Sequence, residues 1–178
     1  LFHIKQKKRV ICTKLIIHAM KKHILGIFLF FCVLGWSQKK LPNVSLKNSE
    51  GSSVSTTNNF NEKDKLYVYS FWATWCSPCI QELEAINEVY EDWKAQLNIE
   101  IIAVATDDSR TQKRVKPLVN GKGWGYTILL DANQDLKRKL SIANIPYLLV
   151  VKNNKIVFIQ NGHTPGAEEE LLTKLKSL

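Results

Sequence analysis

"YSFWATWCSPCIQELEAI", Tyr69 to Ile86, sets two cysteines three positions apart directly after an aromatic run. The left half belongs to "KLYVYSFW", Lys65 to Trp72, aromatic and β-branched without clean alternation, the pattern of a strand buried on both faces. The right half opens a helix expected from about Cys76 to Gln96. Leu83, Ile86, Tyr90, Trp93 and Leu97 recur at three- and four-residue steps as one apolar stripe, with Glu84, Glu88, Glu91 and Lys94 mostly outside it. A cysteine pair at such a strand–helix junction is half of a metal site, a structural staple or a redox couple.

Structural zinc needs four ligands, two per knuckle. Beyond residue 37 this chain offers one C-x-x-C and one histidine, His163, some 84 residues after Cys79. A copper site of two thiolates and that histidine is the remaining metal alternative. A purely structural bridge across so few residues removes little chain entropy. The redox reading fits the position. A sulfur at the first turn of a helix faces free N–H groups and the positive end of the dipole, which favour thiolate. Cys79, one turn on, is placed to attack and resolve a mixed disulfide. Pro78 is tolerated because the missing N–H has no intrahelical partner there. Trp75 offers an apolar contact or a shield.

Around this centre the chain reads as one α/β unit. "VSLKNSEGSSVSTTN" suggests a weak hairpin about Glu50 and Gly51. "IEIIAVAT" (Ile99 to Thr106) and "YTILLD" (Tyr126 to Asp131) are further strands. Between them "DDSRTQKRVKPLV" reads as a short helix capped by Asp107 or Asp108 and disturbed by Pro117, followed by "NGKGWG" as a loop. "NQDLKRKLSI" is a short helix whose basic run, Lys137 to Lys139, is a solvated face. "IPYLLVV" and "KIVFIQ" are strands joined by the polar turn "KNNK", and "TPGAEEELLTKLKSL" is a final helix with Pro165 near its start. The order β-α-β-α-β-(α)-β-β-α begins with parallel-type crossovers and ends in a hairpin. A mixed sheet flanked by helices follows, an α/β sandwich.

The chain has 178 residues and a formal charge of +9. Seven Lys or Arg and no acid lie in residues 1–37, leaving 18 basic against 16 acidic residues beyond them. The basic excess is therefore not a footprint for nucleic acid. It belongs to an expected export signal. "MKKHILGIFLFFCVLGWSQ" follows the only methionine, Met20, with a 13-residue apolar run from Ile24 to Trp36, and Gly35 and Ser37 suit a cleavage site. A spanning helix needs about 20 residues, so a cleaved signal over 20–37 is favoured over a retained anchor. Residues 1–19 read as an upstream artefact, Cys32 as an ordinary residue of the apolar run, and 38–178 as the folded domain. An exported domain lives where disulfides persist.

"FWATWCSPC" resembles the active-site motif of the thioredoxin superfamily. With the export signal and "CIQELEAINEVYEDW", the chain is most similar to the TlpA/ResA-type extracytoplasmic thiol–disulfide oxidoreductases, over about residues 41–178. The resemblance implies a thioredoxin-like sandwich. It makes Cys76 the exposed nucleophile and Cys79 the buried resolver of a redox-active disulfide. Pro146, in "NIPYLLVV", takes the place of the cis-proline that meets a substrate backbone; Trp75, Ser77, Pro78, Ile145 and Tyr147 are the expected surrounding contacts. Two positions depart from the pattern. Ser70 stands where thioredoxin has an acid before "FWA". Glu84 stands where the family often has proline, which removes the usual cause of a helix kink.

The implied function is an enzyme exchanging electrons with protein disulfides as a reductant in the cell envelope. Strongly oxidising relatives carry a large helical insertion, and the spacing from Ile99 to Pro146 leaves little room for one. Protein thiols and an upstream electron donor are the expected partners; a monomer is expected, with no cofactor, no metal and no membrane contact beyond the signal. Cytochrome c maturation is the family-level process. A peroxidase-type redoxin and a non-enzymatic copper-delivery protein are the alternatives; the Pro-x-x-x-Thr pattern of the former is missing. Glu82 lies one turn beyond Cys79 on the same helix face and is expected to handle the proton in place of the missing acid, the bland alternative being a solvated helix-end charge. Glu82→Gln is expected to leave folding stability nearly unchanged.

Overall fold

Residues 39–178 are described by a computed structural model; the expected signal over 20–37 and the segment 1–19 lie outside them. The strands are β1 (Ser45–Asn48), β2 (Ser53–Ser55), β3 (Leu66–Trp72), β4 (Ile99–Ala105), β5 (Thr127–Leu130), β6 (Tyr147–Lys152) and β7 (Lys155–Asn161). The helices are α1 (Ser77–Gln96), α2 (Val115–Lys122), α3 (Asp135–Leu140) and α4 (Ala167–Lys176), with one 3-10 turn at Gln112–Arg114. One sheet runs in the order β2-β1-β5-β4-β3-β6-β7. β3, β4 and β5 are parallel; β1, β6 and β7 are antiparallel to their inner neighbours. This is the expected mixed sheet between helices.

All seven residues of β3 are buried. Its side chains alternate between two cores, which is why the sequence shows no polar face. Leu66, Val68 and Trp72 join Leu83, Ile86, Tyr90 and Trp93 of α1, together with residues of α2 and α4. Tyr67, Tyr69 and Phe71 join Leu136 and Leu140 of α3 and the leading segment from Leu41 to Phe60. Ser70 shares the parity of Val68 and Trp72, so its hydroxyl is delivered to the α1 face.

Local chemistry sets the boundaries. β1 and β2 pair as the expected hairpin. β6 and β7 close through Asn153 and Asn154, both with positive φ (51° and 61°), a conformation asparagine tolerates better than most residues. α1 runs without a break from Ser77 to Gln96, as the absence of proline at position 84 suggests. Two expectations need correcting. Pro117 does not disturb a helix: it is the third residue of α2, in the first turn, where N–H groups have no helical acceptor. α2 then continues through Asn120, Gly121 and Lys122, read from sequence as loop, and stops at Gly123 (φ 67°), whose N–H reaches back to the Asn120 and Val119 carbonyls. Pro165 lies outside α4, two residues before its first helical residue.

Candidate active site

β3 ends at Trp72 and delivers Ala73-Thr74-Trp75 to the head of α1. Cys76 is the N-cap residue (φ −96°, ψ 92°), its N–H bonded to the Ala73 carbonyl at 3.0 Å and its carbonyl accepting from Ile80 N–H at 3.1 Å. Pro78 occupies the first turn as expected, and that turn holds no acid to neutralise the positive helix end. Cys76 and Cys79 form a disulfide with a Cα–Cα distance of 5.3 Å and an S–S distance of 1.97 Å. Cys79 is fully buried and Cys76 is 6% exposed. The order of accessibility is the expected one, yet in the disulfide Cys76 is much less open than "exposed" implied, because Trp72, Ala73 and Leu83 belong to the core cluster that encloses it.

A carboxylate from the next strand braces the loop. Asp107, 1% exposed and just past β4, accepts the Thr74 N–H at 2.9 Å and the Thr74 hydroxyl at 2.5 Å. Thr106 adds its N–H (2.8 Å) and hydroxyl (3.0 Å) to the Trp72 carbonyl. Asp107 or Asp108 is expected from sequence as the cap of the following helix. Only Asp108 turns that way, accepting the N–H groups of Arg110 and Thr111. The bracing role of Asp107 has one legible signal: a polar residue at the carboxyl end of a strand adjacent to the one that feeds the cysteines.

Glu82 is 3% exposed, so it is not a solvated helix-end charge. Its Oε2 accepts the Ser70 hydroxyl at 2.9 Å, while Oε1 has no protein partner among the described residues. Burial pushes the carboxyl up to about 7, against the opposing pull of the Ser70 hydrogen bond. Position 70, vacant of an acid, thus contributes a donor to the carboxylate on α1. Burial on this scale makes ionisation of Glu82 costly in the fold, so a pH-dependent effect of Glu82→Gln on stability is expected.

Beyond the sheet's carboxyl end lies the second wall. The register Phe71↔Tyr147 sets Pro146 opposite the end of β3, at the same edge as the cysteines. The Ile145–Pro146 bond is cis. Pro146 is buried, Ile145 and Tyr147 are half-buried, and Tyr147 meets Phe71 edge-on at 6.2 Å. A groove of about 570 Å³ lies along Ala143 to Tyr147 and Asn161-Gly162. Ser77 and Pro78 are exposed, and Trp75 is 61% exposed, one of two large apolar side chains so open among the described residues. Trp75, Ser77 and Pro78 thus adjoin the cysteines in the chain, and Ile145, Pro146 and Tyr147 line this groove. His163, 84 residues after Cys79 in the chain, lines a small crevice together with Glu82. No group of three or more His, Cys, Asp or Glu side chains is arranged to hold a metal ion among the described residues.

A thioredoxin-like sheet with a disulfide-closed C-x-x-C at the head of the first long helix defines the redoxin class. The chain belongs to the AhpC/TSA family, whose model matches residues 37–171. It is 31% identical over 120 residues to the thiol-disulfide oxidoreductase ResA of Bacillus thuringiensis (strain Al Hakam), covering 67% of this chain and 66% of that relative. A solution structure of an uncharacterized thioredoxin-like protein from Porphyromonas gingivalis matches with TM-score 0.69 at 45% identity, covering 78% of this chain and 90% of that one. A putative thiol:disulfide interchange protein DsbE from Chlorobium tepidum matches with TM-score 0.68 at 20% identity, covering 80% and 96%, a likeness of fold.

Proposed function

We propose that the domain is a thiol–disulfide oxidoreductase that reduces disulfides of protein substrates in the cell envelope, resupplied by an upstream dithiol donor. The observation that carries this reading is the disulfide between an N-cap cysteine and a fully buried partner one turn on. In the reduced protein the Cys76 thiolate, stabilised by the helix end, attacks a substrate disulfide and releases one substrate thiolate. Cys79 gives its proton to Glu82 and attacks the Cys76 sulfur. The second substrate thiolate leaves, and two electrons have passed from the Cys76–Cys79 pair to the substrate. Glu82 suits the proton step because a carboxyl near 7 can both take and lose a proton at neutral pH.

Substrate is held beside the disulfide by Trp75, Ser77 and Pro78 on one side and Ile145, Pro146 and Tyr147 on the other. An extended chain fits the groove that Ile145, Pro146 and Tyr147 line, and the exposed indole of Trp75 provides apolar contact area. Export by the segment 20–37 places this chemistry where substrate disulfides persist. The test is reduction of a disulfide-bonded reporter protein by the reduced domain. Cys79→Ser should abolish turnover, by at least about 100-fold, and leave the reporter covalently joined to Cys76, because the resolving step is removed. Turnover surviving in Cys79→Ser, or a reporter joined at no cysteine, contradicts the assignment.

A further inference from the structure

Two carboxyl oxygens buried without a protein partner among the described residues, Glu82 Oε1 and Glu168 Oε2, belong to residues that line the same crevice. Glu82 comes from the second turn of α1 and Glu168 from the first turn of α4. Gln160 of β7 and His163 of the β7–α4 loop complete the polar lining; Ile86, Ala167 and Leu171 supply the apolar part. The crevice measures about 10 Å³, the space for about one water centre. A buried water needs two to four polar partners, and this lining offers them. Gln160, His163, Ala167 and Leu171 also line a groove of about 580 Å³ between β7 and α4, so the crevice has an outlet.

We propose that Glu82, Glu168, Gln160 and His163 form a one-water site through which the proton of Glu82 passes to and from solvent, making Glu168 and His163 positioning residues for proton transfer. The proposal rests on the oxidoreductase reading, which gives Glu82 a proton to dispose of. After Cys79 has been deprotonated, the proton on Glu82 moves to the water, the water passes one to the His163 imidazole or the Glu168 carboxylate, and that group releases it to the groove. No electron moves and no bond other than O–H or N–H changes. The path leaves through the groove between β7 and α4.

The groups that face Glu82 are few. Ser70 from β3 donates a hydrogen bond; the Cys76–Cys79 pair lies one turn back on α1; Glu168 and His163 face it from the α4 side. Tyr126, ahead of β5, is a neighbouring phenol whose hydroxyl is committed to the Leu83 carbonyl at 2.7 Å. Of these, Glu168 is the one carboxyl that lines the crevice with Glu82. In this proposal a negative charge across the water disfavours ionisation of Glu82.

The experiment is an NMR titration of the Glu side-chain carboxyl carbons and the histidine rings in the oxidised protein, which requires no turnover. With Glu168→Gln, which keeps shape and removes charge, the Glu82 midpoint should fall by on the order of one pH unit. The pH–rate midpoint of reporter reduction should move the same way. In the parent, the His163 ring resonances should show a second inflection at the Glu82 midpoint that vanishes in Glu82→Gln. This second readout decides the matter if Glu168→Gln does not fold. An unmoved Glu82 midpoint in folded Glu168→Gln, or a His163 titration identical in parent and Glu82→Gln, overturns the proposal. Both can occur while disulfide exchange continues, whereas failure of the oxidoreductase reading appears as an absence of exchange with these titrations intact.

Discussion

Among the described residues three carboxyl side chains are buried, and they are not alike. Asp131 follows β5 and accepts the N–H groups of Leu136 and Lys137 at 3.2 and 2.9 Å, one on each oxygen, fixing the start of α3. Asp107 follows β4 and spends both oxygens on Thr74, fixing the loop ahead of the cysteines. Glu82 has one oxygen bonded to Ser70 and the other without a protein partner among the described residues. A saturated buried carboxylate is a brace: its charge is stabilised by donors that fold the chain around it. A half-satisfied one holds its proton more tightly and can exchange it, which suits chemistry better than architecture.

The largest separation between the two kinds should appear in stability against pH. A carboxyl raised from an ordinary 4.5 to about 7 binds its proton more tightly in the folded chain than in the unfolded one. Its contribution is fully present below pH 4.5 and is lost as pH climbs through about 7, roughly 3 kcal/mol in all by the standard conversion. Glu82→Gln removes this loss, so urea unfolding at pH 8 and pH 5 should show a smaller drop for the variant than for the parent. An identical drop would mean that Glu82 ionises freely in the fold.

Asp107→Ala should cost about 2 kcal/mol at either pH, because it strands the Thr74 donors. It should also slow exchange by loosening the loop that carries Cys76. Thermal unfolding and reporter reduction measure both, and a neutral result would remove Asp107 from the bracing class. The smallest effect is expected for Ser70→Ala. It deletes the one hydrogen bond that opposes the burial of Glu82, so the Glu82 titration should move upward; a downward move would reverse the role given to the hydroxyl.

Much of this was legible in the chain. The strand–helix junction, the disulfide pair, the tolerance of Pro78 and the hairpin turn follow from periodicity and local chemistry that act over a few residues. Glu82 could be placed one turn from Cys79 by spacing, but its burial could not, because that depends on β7 and α4 returning nearly 80 residues later to cover it. His163 was out of reach for the same reason. The bracing role of Asp107 is hidden in the sequence because two adjacent aspartates are equal candidates for a cap until β4 and β3 lie side by side. The Asn120-Gly121 pair reads as a turn locally, yet the helix runs through it to Gly123, whose left-handed conformation ends it.

The most direct measurement is the pH dependence of the resolving step. A mixed disulfide between Cys76 and a small thiol can be prepared in the parent and in Glu82→Gln, and its collapse to the Cys76–Cys79 disulfide followed by rapid mixing from pH 5 to 9. If Glu82 takes the Cys79 proton, the parent rate should rise through a midpoint near 7 that the variant lacks, with the variant slower at neutral pH. Superimposable profiles would contradict the account and leave Glu82 a buried carboxyl without a part in the exchange.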